Sequence, residues 1–410
     1  MSDRQILREL ARTYREIAND PIQDVRRDQW TRFHGMQDKQ GRVYSMRFAA
    51  NELFGPECLQ CGDEFFRTFE KELRVAIYHH SFGDEVITEP YLTLDSVYDP
   101  PVGMRWGVPC DMGERPGNTG AAHYNPTVNS EEDLDKLVVP RHRINEAETM
   151  LLYEKINDAI GDLVPIDLNR GPDLLTWTGD ISTDLCKLHG LEQMLWSFYD
   201  EPEMLHRMIQ FMADGIEKVQ KEAEDAGDIG ATDSYNQSMP YAPETVRPRA
   251  NVRGLKRNQL WCFMSAQEFT MVGADMFEEY MLRYQIPIME KFALSAYGCC
   301  EDLTQKIPLL RKIKNLRRIA VSPFADLQKC AEQIGSEYIV SYRPNPATFI
   351  ARGVDEDFVR RELSKQLRIL KQNDCFVEVE YKDVETVNHD PNAMGLLVRI
   401  TREELDKAGY

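Results

Sequence analysis

Residues 292–303 read FALSAYGCCEDL, and this stretch decides the fold. Apolar and small residues alternate, two cysteines follow, then two acids, and a helical pattern starts at Leu303. The pattern is that of a buried strand running into a strand-to-helix loop that carries thiols and carboxylates. In a (β/α)₈ barrel such a loop lies on the catalytic face.

Working outward, seven more strand-like runs alternate with helical patterns. The runs are 41–47, 85–94, 164–169, 259–267, 317–322, 337–343 and 375–381. Helical periodicity covers 64–78, 144–160, 185–197, 203–226, 275–291, 307–315, 326–334, 355–372 and 392–408. Eight strands with helical crossovers predict an α/β chain with a parallel sheet. The count of eight, with no G-x-G-x-x-G after the first strand, favours a (β/α)₈ TIM barrel over an open doubly wound sheet. Residues 1–40 read as a polar N-terminal helical extension, and 41–410 as the barrel. The chain of 410 residues exceeds the roughly 250 of a plain barrel, which leaves room for that extension. Residues 95–142 form a long irregular stretch, the kind of loop that serves as a lid or binding segment.

The net charge of −19 argues against nucleic acid as a partner. No apolar run approaches the roughly 20 residues that span a membrane, and the charged N-terminus has no signal-peptide core. A cytoplasmic location is expected. Nine scattered cysteines are then expected as free thiols. Cys58-x-x-Cys61 lacks a second pair for a four-ligand zinc site. Cys110, Cys186, Cys262, Cys330 and Cys375 read as buried packing.

Several features of the second half fall in a characteristic order. They are Ser265-Ala-Gln-Glu268, the pair Phe277 and Tyr284, the Gly298-Cys299-Cys300 turn, and Pro344-Asn345-Pro346 after the seventh strand. From about residue 40 to its end the chain resembles the uroporphyrinogen decarboxylase superfamily, and within it the branch of corrinoid-dependent zinc methyltransferases. The true decarboxylases carry an arginine-rich M-R-Q-A-G-R-Y segment after the first strand. Here Met46-Arg47-Phe48-Ala49-Ala50-Asn51 keeps one arginine, too few cations for a substrate with many carboxylates. In the zinc methyltransferases the fifth strand ends His-x-Cys-Gly, and another cysteine comes from near the eighth strand. Here Tyr297 or Gly298 stands at the histidine position, Cys300 adds a thiol, and the eighth strand offers Glu378 and Glu380.

The resemblance implies a methyltransferase of the O-demethylase type. It would move a methyl group between a small substrate, methoxylated aromatics included, and the cobalt of a cobalamin-type corrinoid. That corrinoid would be carried by a partner protein, because this chain has no second domain for it. Zinc is the implied metal, with one position open for Lewis-acid chemistry; Cys299 and Cys300 can supply one ligand or two, and Glu268, Glu301 or Glu380 can complete the site, Glu380 being the candidate ligand. Glu268, Glu301 and Asp167, at or near strand ends, are the candidate catalytic acids. His123, Arg170, Tyr297, Arg343 and Trp261 are candidate substrate contacts. A homodimer is compatible with the chain. Two other functions compete: a metal-independent decarboxylase of a small acid, using Arg47, Arg170 or Arg343, and a non-enzymatic ligand-binding barrel. The bland reading of adjacent cysteines and strand aromatics is core packing.

Overall fold

The computed structural model describes residues 1–46, 48–112 and 124–410. Eight parallel strands alternate with helices: β1 Arg42–Ser45, β2 Leu92–Asp95, β3 Ile166–Asn169, β4 Trp261–Met264, β5 Leu294–Tyr297, β6 Leu316–Val321, β7 Ile339–Tyr342 and β8 Phe376–Tyr381. Each overlaps one of the eight runs read from the sequence; β2 and β6 each extend one residue beyond their runs, and β2 takes only the last part of 85–94. A short antiparallel pair, Asp111–Met112 with Tyr124–Asn125, lies within the long segment after β2. Among the described residues no helix is long and apolar enough to cross a membrane.

Closure is where the structure departs from the expected barrel. Six strands form one parallel sheet in the order β1-β8-β7-β6-β5-β4, while β2 and β3 pair separately. Among the described residues no ladder joins β1 to β2 or β3 to β4. The closed hydrogen-bonded cylinder is therefore corrected to two parallel arcs meeting at two seams.

The physical reason is that side chains satisfy the strand edges at both seams. At the first, Val43 N donates to Glu85 Oε2 (2.5 Å) and Ser45 N to Asp84 Oδ2 (3.0 Å). At the second, Leu168 N donates to Asn251 Oδ1 (3.2 Å), and Asn251 Nδ2 donates to Ile166 O (2.8 Å). Across that seam Trp261 N, at the start of β4, donates to Ser234 Oγ (3.0 Å). Edge groups that already have partners do not need a neighbouring strand.

Alternation along the strands divides the structure into two layers. Val377, Val379 and Tyr381 of β8, Ile319 and Val321 of β6, and Val340 and Tyr342 of β7 join the main apolar cluster. The intervening residues Glu378, Glu380, Arg318 and Ser341 are fully buried on the opposite, inner face. The helix Asp3–Ala18, closed by a Ser2–Gln5 capping box, lays Ile6, Leu7, Ala11 and Tyr14 against the outer residues of β2 and β3. The helix Ile22–His34 sends Trp30 and Phe33 into a third cluster with Tyr44, Ile339 and Phe376.

Candidate functional site

The chain turns sharply at the end of β5. Gly298 has φ +98°, and a Cβ there would meet Leu303 Cδ1 at 2.6 Å, so only glycine fits. Glu301 then ties two loops together, accepting from Cys299 N (2.7 Å) and from Ala266 N (2.9 Å) after β4. This holds Cys299 and Cys300 with their sulfurs 3.7 Å apart.

Lys382, immediately after β8, reaches both thiols. Its Nζ lies 3.0 Å from Cys299 Sγ, 3.4 Å from Cys300 Sγ and 2.7 Å from Asp383 Oδ2. Gln237 Nε2 also donates to Cys299 Sγ at 3.4 Å. The contact with the Cys300 thiol, helped by the charges of Arg343 and Lys382, outweighs burial and holds Cys299 down at about 4. Cys300 moves the other way, pushed well above the thiol range by the same contact and by burial. At neutral pH the pair therefore shares one proton, and it sits on Cys300. The Cys299 thiolate, against the effect of burial, keeps Lys382 charged.

Below the thiols runs a ladder of buried charges. Arg343 donates from Nη1 to Cys299 O and from Nη2 to Gln237 Oε1 (2.7 Å), with its Nε 2.9 Å from Glu380 Oε2. Arg318 bonds Glu378 through Nε and lies 3.3 Å from Glu380 Oε2 through Nη2. Tyr44 OH donates to Glu378 Oε1 (3.0 Å), and His34 Nε2 stands 3.7 Å from Glu378 Oε2. Burial alone would raise Glu378, but Arg318 and His34 hold it at about 2.

A second group of acids lies on the side of the thiols towards β4. Glu268 accepts from Ser182 Oγ (2.8 Å), and Asp180 accepts from Thr183 N (3.0 Å) and Ser265 Oγ (3.2 Å). Burial raises the carboxyls of Glu268, Asp180 and Glu301, and the Cys299 thiolate adds to the rise at Glu268 and Glu301. Glu268 also lines a cavity of about 890 Å³ with Tyr124, Lys187, Leu191, Leu195 and Trp196. That volume is within the range of small-molecule sites. The helix Leu191–Asp200 edges the cavity and leaves Trp196 59% and Tyr199 77% exposed.

The residues singled out from sequence separate accordingly. Cys299, Cys300, Glu301, Arg343 and Glu380 stand together, and Glu268 is close enough to feel the thiolate. Asp167 lies in the β3 seam, its Oδ1 accepting from Asn251 N at 2.6 Å. Arg170 is engaged by Asp228 (2.6 Å) and Glu146 (2.5 Å). Trp261 is fully buried, with its ring 5.3 Å from that of His34. Tyr297 faces the helix layer and donates to Gln285 Oε1 at 2.7 Å. His123 and Arg47 lie outside the described residues. Lys382, Gln237, Asp180 and Lys187 were not anticipated. For Lys382 a signal existed: Glu378, Glu380 and Lys382 share one face of an alternating strand.

The expected zinc ligands do not fit that ion in this arrangement. Zinc needs three or four donors about one point. Glu380 is turned to Arg343 and Arg318, and the Lys382 ammonium already lies against both sulfurs. Among the described residues no group of three or more His, Cys, Asp and Glu side chains is disposed to hold a metal.

No protein-family model matches the chain, and no curated protein matches it by sequence. Its fold is similar to that of a methyltransferase from Methanosarcina mazei, with a TM-score of 0.53 and 10% identity over 94% of this chain and 99% of that one, a likeness of architecture.

Proposed function

We propose that the protein is a methyltransferase acting on a small methoxylated compound held in the cavity beside Glu268. The observation that carries this reading is a half-buried carboxyl, raised in pKa and oriented by Ser182, in the wall of a ligand-sized cavity. Breaking a methyl ether requires a proton for the departing oxygen. Glu268 holds that proton and gives it up as the carbon–oxygen bond breaks. Burial, and to a lesser degree the nearby Cys299 thiolate, raises the Glu268 carboxyl and so favours its protonated form. Ser182 fixes the carboxyl from behind.

A reduced corrinoid, brought by a separate protein, supplies the nucleophile that accepts the methyl group. The exposed apolar side chains Trp196 and Tyr199, with Leu191 and Leu195 on the same helix, give such a partner a surface beside the cavity. Of the three arginines the decarboxylase alternative could use, Arg170 and Arg343 are engaged by protein carboxylates, and Arg47 lies outside the described residues.

The test is Glu268→Gln, assayed for release of the demethylated product with a reduced corrinoid as acceptor. Removing a general acid is expected to lower the rate roughly 10²- to 10⁴-fold. Unchanged turnover in the variant would remove the reading.

A further inference from the structure

The 890 Å³ cavity is chemically asymmetric, and the asymmetry specifies its ligand. Among the described residues five titratable ones line it: Tyr124, Cys186, Lys187, Glu192 and Glu268. Burial raises both the Cys186 thiol and the Glu268 carboxyl, which disfavours the charged form of each. Glu192 is exposed on the first turn of the helix Leu191–Asp200, facing water. Lys187 is the one cation among the described lining residues.

Its own counter-ion is already engaged elsewhere. Asp184 accepts from Trp106 Nε1 at 2.8 Å through Oδ2, and the same oxygen lies 3.8 Å from Arg105 Nε. Lys187 reaches only the other oxygen, at 3.4 Å. Its side chain keeps 26% of its surface exposed. A cation so loosely paired, in a cavity walled by Leu191, Leu195 and Trp196, has most of its hydrogen-bonding capacity left for a ligand.

We infer that the ligand of this cavity is an apolar body carrying a carboxylate, and that Lys187 is the residue that selects it. The inference rests on the reading of Glu268 as the acid that faces the ether oxygen, and it adds the opposite pole of the substrate. In this arrangement the carboxylate meets Lys187, the apolar part lies along Leu191, Leu195 and Trp196, and the methoxy oxygen meets Glu268. A neutral compound of the same shape loses the charge-assisted hydrogen bond. A cationic one is repelled.

Equilibrium binding to the full chain, without any methyl acceptor, tests this with para-methoxybenzoate, para-methoxybenzamide and para-methoxybenzylamine. The benzoate is expected to bind roughly ten- to a hundredfold tighter than the amide, the worth of a hydrogen bond to a charged group. Lys187→Met is expected to erase that difference, and Lys187→Glu to shift preference to the amine. Equal binding of benzoate and amide by the unaltered chain, a preference that survives Lys187→Met, or no binding of any of the three, would overturn the inference. The result is separable from the assignment of Glu268. A charge preference that follows Lys187 without any methyl transfer would leave this inference standing and remove the other. Glu268-dependent transfer without charge preference would do the reverse.

Discussion

The inner ladder and the cavity wall both hold charged side chains, but they differ in how completely those charges are paired. Glu378 meets Arg318, Tyr44, Ser238 and His34. Glu380 meets Arg343, Arg318 and Ser341. In the cavity wall, Glu268 has one side-chain donor and Lys187 one distant acceptor. Removing a member of a buried ion-pair network leaves an uncompensated charge and costs stability. Unsaturated groups have capacity left for a ligand. The comparison teaches that the ladder shapes the interior and the thiolate, while the cavity wall keeps hydrogen-bonding capacity for a ligand.

The strongest way to break this comparison is Arg318→Leu. It strands Glu378 and Glu380 in the interior, and denaturant unfolding is expected to show a loss of about 3–5 kcal/mol. A stability change within error would mean that the ladder is not structural. The same ladder has a pH signature. Glu378 is depressed to about 2, so its contribution is fully present above the ordinary carboxylate range and is lost as pH falls towards 2. Stability measured across acid pH should decline over that interval, and the decline should be smaller in Glu378→Gln when compared with its own value at neutral pH.

Glu268→Gln tests the other side of the comparison. The raised carboxyl of Glu268 is a cost to folding at neutral pH, because burial disfavours the charged form that the unfolded chain adopts freely. Glu268→Gln is therefore expected to lose activity while keeping or gaining thermal stability. A variant that loses both would place Glu268 with the ladder.

Cys299 lies between the two regions. Its thiolate absorbance in the ultraviolet should persist as pH is lowered from neutral and vanish only on approach to about 4. Lys382→Met should move that titration upward, towards the ordinary thiol range. A titration unmoved by Lys382→Met would show that the Cys300 contact and Arg343 suffice. One equivalent of tightly held zinc on the purified protein, lost in Cys299→Ser, would show that Lys382 yields its place to a metal.

The smallest expected effect is Gly298→Ala. A left-handed φ costs a non-glycine residue about 1–2 kcal/mol, and the clash with Leu303 adds to it. The thiolate signal reports whether the turn has shifted.

The sequence by itself determined the order and place of the eight strands, because alternation and helical periodicity are local properties of a chain. It also singled out residues 298–301, a glycine, two thiols and an acid at a strand end, although adjacent cysteines there read as core packing as well. The β8 sequence CFVEVEYK even displayed its inward charged face. Tertiary structure alone decided which charges meet. Nothing near Glu380 announces that Arg343 and Arg318 will take its carboxylate, or that Lys382 will lie on the sulfurs. Nothing near Arg170 announces Asp228. The open seams were equally hidden, because Glu85, Asp84, Asn251 and Ser234 reach strand edges from distant segments. Pairing of charges and edges depends on distances across the fold, and those are fixed only once the whole chain has packed.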